Sequence, residues 1–244
     1  MLITDSHSIR DILAFPLLRP DKGTLQVLFE SMDPSLVKVE EKKDNKKPVE
    51  KKIYKLPINR EQALNAIKKT NPEQYDLNHY LESEAVMKAV ARKLNEDEEY
   101  FGMLGLLHDV DWSLTKTDST KHLTLAPKML KELGFDDEFI STVLSHGYGF
   151  DCAGLKDNKR TKKIEHALAC SETITGLVHS YYLMRKSFDG MKAKGLMEKY
   201  KDGKFAAKID RNIIKECELI GIPLQDFMQL AIDAIASIQN QLNL

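Results

Sequence analysis

From Arg60 to Lys69, Asp76 to Leu94 and Asp97 to His108, apolar residues recur at spacings of three and four, the period that turns one face of an α-helix inward. The same period runs through 119–133, 136–146, 162–185, 210–220 and 224–242. Alternating strand patterns bounded by turns are missing. The pattern predicts an all-α fold, a helical bundle. Gly134, followed by Phe135 and two aspartates, reads as a helix stop and restart, and Gly221 with Pro223 as another. Periodicity lapses over KVEEKKDNKKPVEKKIYK, residues 38–55, where lysine and acid alternate and Pro48 interrupts any helix. This divides the chain into an N-terminal segment, residues 1–30, a charged solvated linker, 31–56, and a main domain, 57–244. No internal repeat is visible.

Composition refines this picture only slightly. Hydrophobic residues make up 42% and charged residues 30% of the 244 positions, which suits a globular protein. No apolar run approaches the roughly 18 residues of a membrane span. The start, MLITDSHSIRD, lacks the basic patch and continuous apolar region of a secretory signal, so a cytoplasmic location is expected. Cys152, Cys170 and Cys217 are too widely spaced for a CxxC motif and are expected to be reduced thiols. A net charge of −1 gives no general attraction to nucleic acid.

The candidate chemistry lies on the helical faces. His79 shares a stripe with Ser83, Val86 and Val90, and His108 continues the face of Phe101, Leu104 and Gly105. Either histidine alone reads as a core residue bonded to a backbone carbonyl. Asp109 changes that reading, because a carboxylate at the end of a buried helix is seldom buried unless it is paired or holds a metal. Neighbouring helical residues point about 100° apart, so His108 and Asp109 can share one ion only beyond the helix end. The alternative is a helix end capped by polar residues.

The stretches LNHYLESEAV, LLHDVDW and ALACSETITGLV together resemble the HD superfamily of metal-dependent phosphohydrolases, whose pattern is a histidine, a His-Asp pair and a distant aspartate on a helical bundle. The likeness runs from about Pro57 to the C-terminus and includes KDGKFAAKIDR near residue 205. It implies an HD-domain helical bundle in which His79, His108, Asp109 and Glu172 ligate a divalent ion (Mn, Fe, Co, Ni, Mg or Zn). Glu172 departs from the family aspartate by one methylene, which puts turnover in question. His122 and His146 fall where some members carry ligands for a second ion. His7, His166 and His179 match no such position and are expected to be structural or on the surface. Asp109 is the candidate for orienting or deprotonating the attacking water. Lys116 is the candidate for meeting a substrate phosphate, and Lys156, Lys159 and Arg160 are candidates for the pocket rim. Trp112 is expected in the core.

A second resemblance covers only residues 1 to about 20, where TDSHSIRDILAFPLLRP looks like the end of the catalytic domain of class II lysyl-tRNA synthetase. The three motifs that define that class are not in this chain, so it is not expected to build a lysyl-adenylate site alone, and Arg10 is no catalytic candidate. Three functions follow from these readings. The first is hydrolysis of a phosphomonoester, a nucleotide among the candidates. The second is non-catalytic nucleotide binding. The third is service as a domain appended to a lysyl-tRNA synthetase, with the lysine-rich linker touching tRNA. The oligomeric state is left open.

Overall fold

The computed structural model describes residues 52–244, which are helical and contain no strand. The synthetase-like segment and most of the linker lie outside the described residues. Two long helices form the centre. α2, Gln74–Leu94, and α7, Lys163–Arg185, pack against each other and bury residues on most of their circumference. α1, Arg60–Lys69, precedes them and is closed at its start by a reciprocal Asn59–Gln62 capping box. α3, Glu98–Leu107, lies along α2 and buries every residue from Tyr100 to Leu107. Its start is fixed by Asp97, whose carboxylate accepts from the backbone N–H groups of Glu99 and Tyr100.

α2 and α3 approach closely because Gly105 has no side chain. A Cβ there would stand 2.5 Å from the backbone oxygen of Ser83. The turn between α2 and α3 is made by Asn95 in the left-handed region, φ 60°, a conformation that asparagine tolerates better than most residues.

The expected helix at 119–133 is not continuous. A short helix α4, Trp112–Thr115, and a 3₁₀ turn, Ser119–Lys121, precede α5, Ala126–Glu132. The break has two causes. Pro127 can occupy only a first helical turn, and Leu123 takes a positive φ of 67°. The carboxylate of Asp111 then accepts from the N–H groups of Leu123, Leu125 and Ala126, closing the start of α5 from outside. α6, Asp137–Leu144, follows, with Gly134 at φ 89° as the stop before it. The period at 136–146 continues past α6 only as a 3₁₀ turn, Ser145–Gly147.

α8, Ala193–Lys201, was not expected from the sequence: it is short and rich in lysine, and it buries only Ala193 and Leu196. The stretch 210–220 becomes α9, Arg211–Lys215, and a 3₁₀ turn, Glu216–Glu218, before Gly221 at φ 90°. The last helix, α10, Leu224–Ser237, packs its apolar face on α2, α7 and α8. No described helix is long and apolar enough to cross a membrane.

Candidate metal centre

The side chains singled out by sequence come from four different places. His79 projects from α2, His108 and Asp109 stand just past the end of α3, His122 follows the 3₁₀ turn, and His146 lies in the turn after α6. They meet around Asp109. Its Oδ2 lies 3.5 Å from His108 Nε2 and 3.8 Å from His79 Nε2. Its Oδ1 lies 3.1 Å from His146 Nε2 and 3.2 Å from His122 Nε2. Two groups that could hold a metal ion result, His79–His108–Asp109 and Asp109–His122–His146, sharing one carboxylate.

The proton on each imidazole can be placed from its outer partner. His108 Nδ1 lies 2.8 Å from the Gly105 carbonyl, and His146 Nδ1 lies 2.7 Å from the Val143 carbonyl. A carbonyl only accepts, so both Nδ1 atoms carry hydrogen. The Thr175 hydroxyl donates to the Glu172 carbonyl at 2.6 Å, which leaves its oxygen to accept from His79 Nδ1 at 2.9 Å. His122 Nδ1 faces Asp111 Oδ1 at 3.2 Å. The Nε2 lone pairs of His79, His108 and His146 are therefore directed inward, whereas His122, charged in the absence of a metal, carries hydrogen on both nitrogens. His79 Nε2 and His108 Nε2 are 3.0 Å apart, and His122 Nε2 and His146 Nε2 are 3.1 Å apart.

Two bare nitrogens at such a distance, as in His79 and His108, repel unless a cation stands between them. Imidazoles bind transition ions at about 2.0–2.1 Å, and two such ligands at a right angle are roughly 3 Å apart, so the spacing fits a shared ion. The outer partners on each ring are the kind that fix the tautomer of a metal-binding histidine.

Electrostatics agree with this requirement. Burial pushes His108 down to about 3, with only partial compensation from Asp109, so this ring is neutral and ready to ligate. Burial opposes the charged form of His122 as well, but Asp109 and Asp111 outweigh it and raise the group to about 10. Without a metal, a proton on His122 supplies the missing positive charge. Burial also works against ionised Asp109, yet the imidazoles of His108, His122 and His146 hold its carboxyl well below the usual range.

Glu172 stands outside both groups. It lines the same cavity, with Oε1 accepting from the Thr173 hydroxyl at 2.5 Å. Burial raises its carboxyl, against the pull of the His146 and His79 rings.

Lys116 does not line the cavity. Its ammonium is taken by Glu73 at 2.7 Å and Asp76 at 3.1 Å, which leaves it braced against the first turn of α2 rather than turned to a ligand. Lys156 and Lys159 do not line the cavity either. Arg160 has a structural position. It donates to the carbonyls of Ser145, at 3.0 Å, and Tyr148, at 3.1 Å, pinning the turn that carries His146, and it is paired with Glu216 at 2.7 Å. Trp112, expected in the core, is half-buried on the cavity wall, edge-on to His122 with ring centroids 5.1 Å apart. His166 pairs with Glu216 and His179 with Glu82, both away from Asp109, and His7 lies outside the described residues.

The cavity over this centre has a volume of about 570 Å³. Its wall includes Tyr75, Phe150, Asp151 and Lys208, which the sequence did not single out. Lys208 lies within KDGKFAAKIDR, which the likeness includes, but nothing in that stretch singles out one of its lysines. Thr175 was findable: it follows Glu172 by three residues and therefore shares its helical face.

A family model described as HD domain matches residues 76–175. The match spans 100 of the 244 residues, and the all-helical structure agrees with it. The match contains the helical pattern, the His-Asp pair and the histidines on either side of it, and it reaches Thr175, the residue that orients His79. HD domains bind divalent metals, and the described residues place His and Asp groups where an ion fits. No curated protein and no solved structure matches the chain.

Proposed function

We propose that the chain is a metal-dependent phosphohydrolase that cleaves a phosphomonoester such as a nucleotide. The observation that supports this most is Asp109, whose two oxygens each face a separate pair of histidines. In this reading His79, His108 and Asp109 hold one divalent ion, and Asp109, His122 and His146 hold a second. Bound ions of this kind acidify water and offset negative charge on a phosphoryl oxygen.

The chain's own groups do the rest. Asp109, held ionised, orients the attacking water through an oxygen lone pair, but a carboxylate so far below its usual range is a poor store for the proton. Glu172, raised by burial on the same wall, is the better acceptor for that proton at a carboxylate oxygen. Water attacks phosphorus, the bond from phosphorus to the ester oxygen breaks, and the proton held by Glu172 passes to the departing oxygen, so that an alcohol leaves and phosphate remains. Trp112 covers one side of His122 and restricts the approach of further water.

The test is hydrolysis by purified protein given manganese, cobalt or nickel and a panel of phosphate esters. Activity that falls at least a hundredfold in His108→Ala is expected. Failure to hydrolyse any ester in a manner sensitive to that substitution overturns the reading.

A second reading, non-catalytic nucleotide binding, is favoured by one observation: Glu172 stands apart from both ligand groups. Thermal stabilisation by a nucleotide without turnover, together with activity gained in Glu172→Asp, is the outcome that selects it.

A further inference from the structure

The cavity is much larger than a phosphate ion needs, and about 570 Å³ falls within the range of sites for small organic ligands. Its wall is uneven in chemistry. Tyr75 and Phe150 leave 60% and 46% of their surfaces exposed, and Trp112 stands with them on the lining. Large aromatic rings left open around one concavity are a recurrent way to hold a flat apolar group. Among the described residues, Lys208 is the only lysine or arginine on this wall. The other charged groups toward solvent are acids, Asp151 and Asp210, both exposed.

Resting on the phosphohydrolase reading, we propose that the cavity selects a phosphomonoester with a planar aromatic group, a nucleoside monophosphate, and that Lys208 is the side chain that positions its phosphate. A single phosphate is provided for by the centre at Asp109 and one ammonium, which acts on phosphate as a point charge. Each further phosphate of a di- or triphosphate adds negative charge with no second basic side chain to meet it. Those added charges face Asp151 and Asp210, and like-charge juxtaposition is an efficient means of rejecting a ligand. The aromatic trio separates a nucleotide from a sugar phosphate, because only the former brings a π face to stack.

The experiment uses the full chain loaded with manganese. Kinetics are measured for AMP, ADP, ATP and ribose 5-phosphate, and equilibrium dialysis measures AMP retention independently of turnover. The expected result is kcat/KM for AMP at least tenfold above that for the other three. Lys208→Gln is expected to raise KM and the AMP dissociation constant about tenfold, to change kcat less, and to leave manganese content unaltered. Phe150→Ala is expected to weaken AMP and leave ribose 5-phosphate where it was.

An AMP dissociation constant that is unchanged in Lys208→Gln overturns the proposal, as does ATP or ribose 5-phosphate used as well as AMP. Absence of AMP binding overturns it too. If AMP binds with the expected dependence on Lys208 and no ester is hydrolysed, the inference about the ligand stands and the hydrolytic reading fails.

Discussion

His79 and His108 face each other nitrogen to nitrogen, with their Nε2 atoms 3.0 Å apart and both Nδ1 atoms committed to acceptors elsewhere. This contact is unfavourable in the neutral protein and favourable around a cation. Metal occupancy should therefore be visible as stability. At a manganese concentration a hundred times the dissociation constant, linkage adds about 2.7 kcal/mol, or roughly 5–10 °C in Tm for a unit of this size. Differential scanning fluorimetry with manganese and with EDTA measures it. In His79→Ala the manganese shift should shrink without vanishing, since the Asp109–His122–His146 group keeps its ligands, while the EDTA baseline should change little because one opposing lone pair has gone.

Sharing of Asp109 predicts an asymmetry in metal content. Removing His122 takes a ligand from one group only, so His122→Ala should retain about one ion less than the native chain. Asp109→Ala takes a ligand from both and should retain almost none. Elemental analysis after dialysis distinguishes the two. Equal losses in both variants would mean that the groups are not linked through this carboxylate.

The pH dependence of the metal-free protein follows from His122. Its folded value, about 10, lies above the ordinary histidine range because Asp109 and Asp111 outweigh burial. A raised group contributes stability that is complete below its unfolded value, near 6.5, and is lost as pH climbs toward 10. Asp109 acts in the opposite sense, its contribution fading as the solution becomes strongly acidic. The Tm of EDTA-treated protein should fall steadily between pH 7 and 10, and His122→Gln should flatten that slope. Near neutral pH, manganese binding should release a proton, read from calorimetric enthalpies in buffers of different ionisation heat.

Arg160 joins two regions through the carbonyls after α6 and the carboxylate of Glu216. Its side chain is 9% exposed and that of Glu216 is 16% exposed. Breaking one partner of a buried pair costs about 3–5 kcal/mol. Arg160→Ala should lower Tm by on the order of 10 °C and weaken manganese binding, since the turn that presents His146 loses its anchor. Arg160→Lys should recover little, because a point charge cannot span several carbonyls and a carboxylate together.

Gly105 offers a purely steric test. An added methyl group would press on the backbone of Ser83 in α2. Gly105→Ala should cost about 1–3 kcal/mol through the forced separation of α2 and α3. It should also weaken metal binding, because the Gly105 carbonyl holds the His108 ring. Urea unfolding and metal titration read the two effects separately.

The helical class and the positions of α1, α2, α3, α7 and α10 were legible in the chain because apolar residues recur through each at spacings of three and four, on one face in α1 and α10 and on most of the circumference in α2, α3 and α7. The interruption before α5 was hidden, although Pro127 marked the first turn. What closes that turn is Asp111, which reaches the backbone of residues 12 to 15 positions away, and no local pattern reports such a contact. The histidines and Asp109 were legible as a set because a charged or imidazole group at the inner end of an apolar face demands a partner. Their pairing through opposite oxygens of Asp109 was not legible, since it depends on how four segments converge. Lys116 illustrates the reverse: its place soon after the His-Asp pair suggested contact with a substrate phosphate, while Glu73, just before α2, and Asp76 on α2 take its ammonium. Lys208, Tyr75 and Phe150 lay close to motifs in sequence, but which side chains face the cavity is decided by how distant segments converge.

Because Asp109 ties α2, the end of α3, the loop before α5 and the turn after α6 into one knot, an ion lodged there would behave as a reversible cross-link across much of the chain. Loss of the ion would disarm the site and slacken the scaffold in the same event. Starvation for metal would then mark the molecule for proteolysis instead of leaving an intact but idle catalyst.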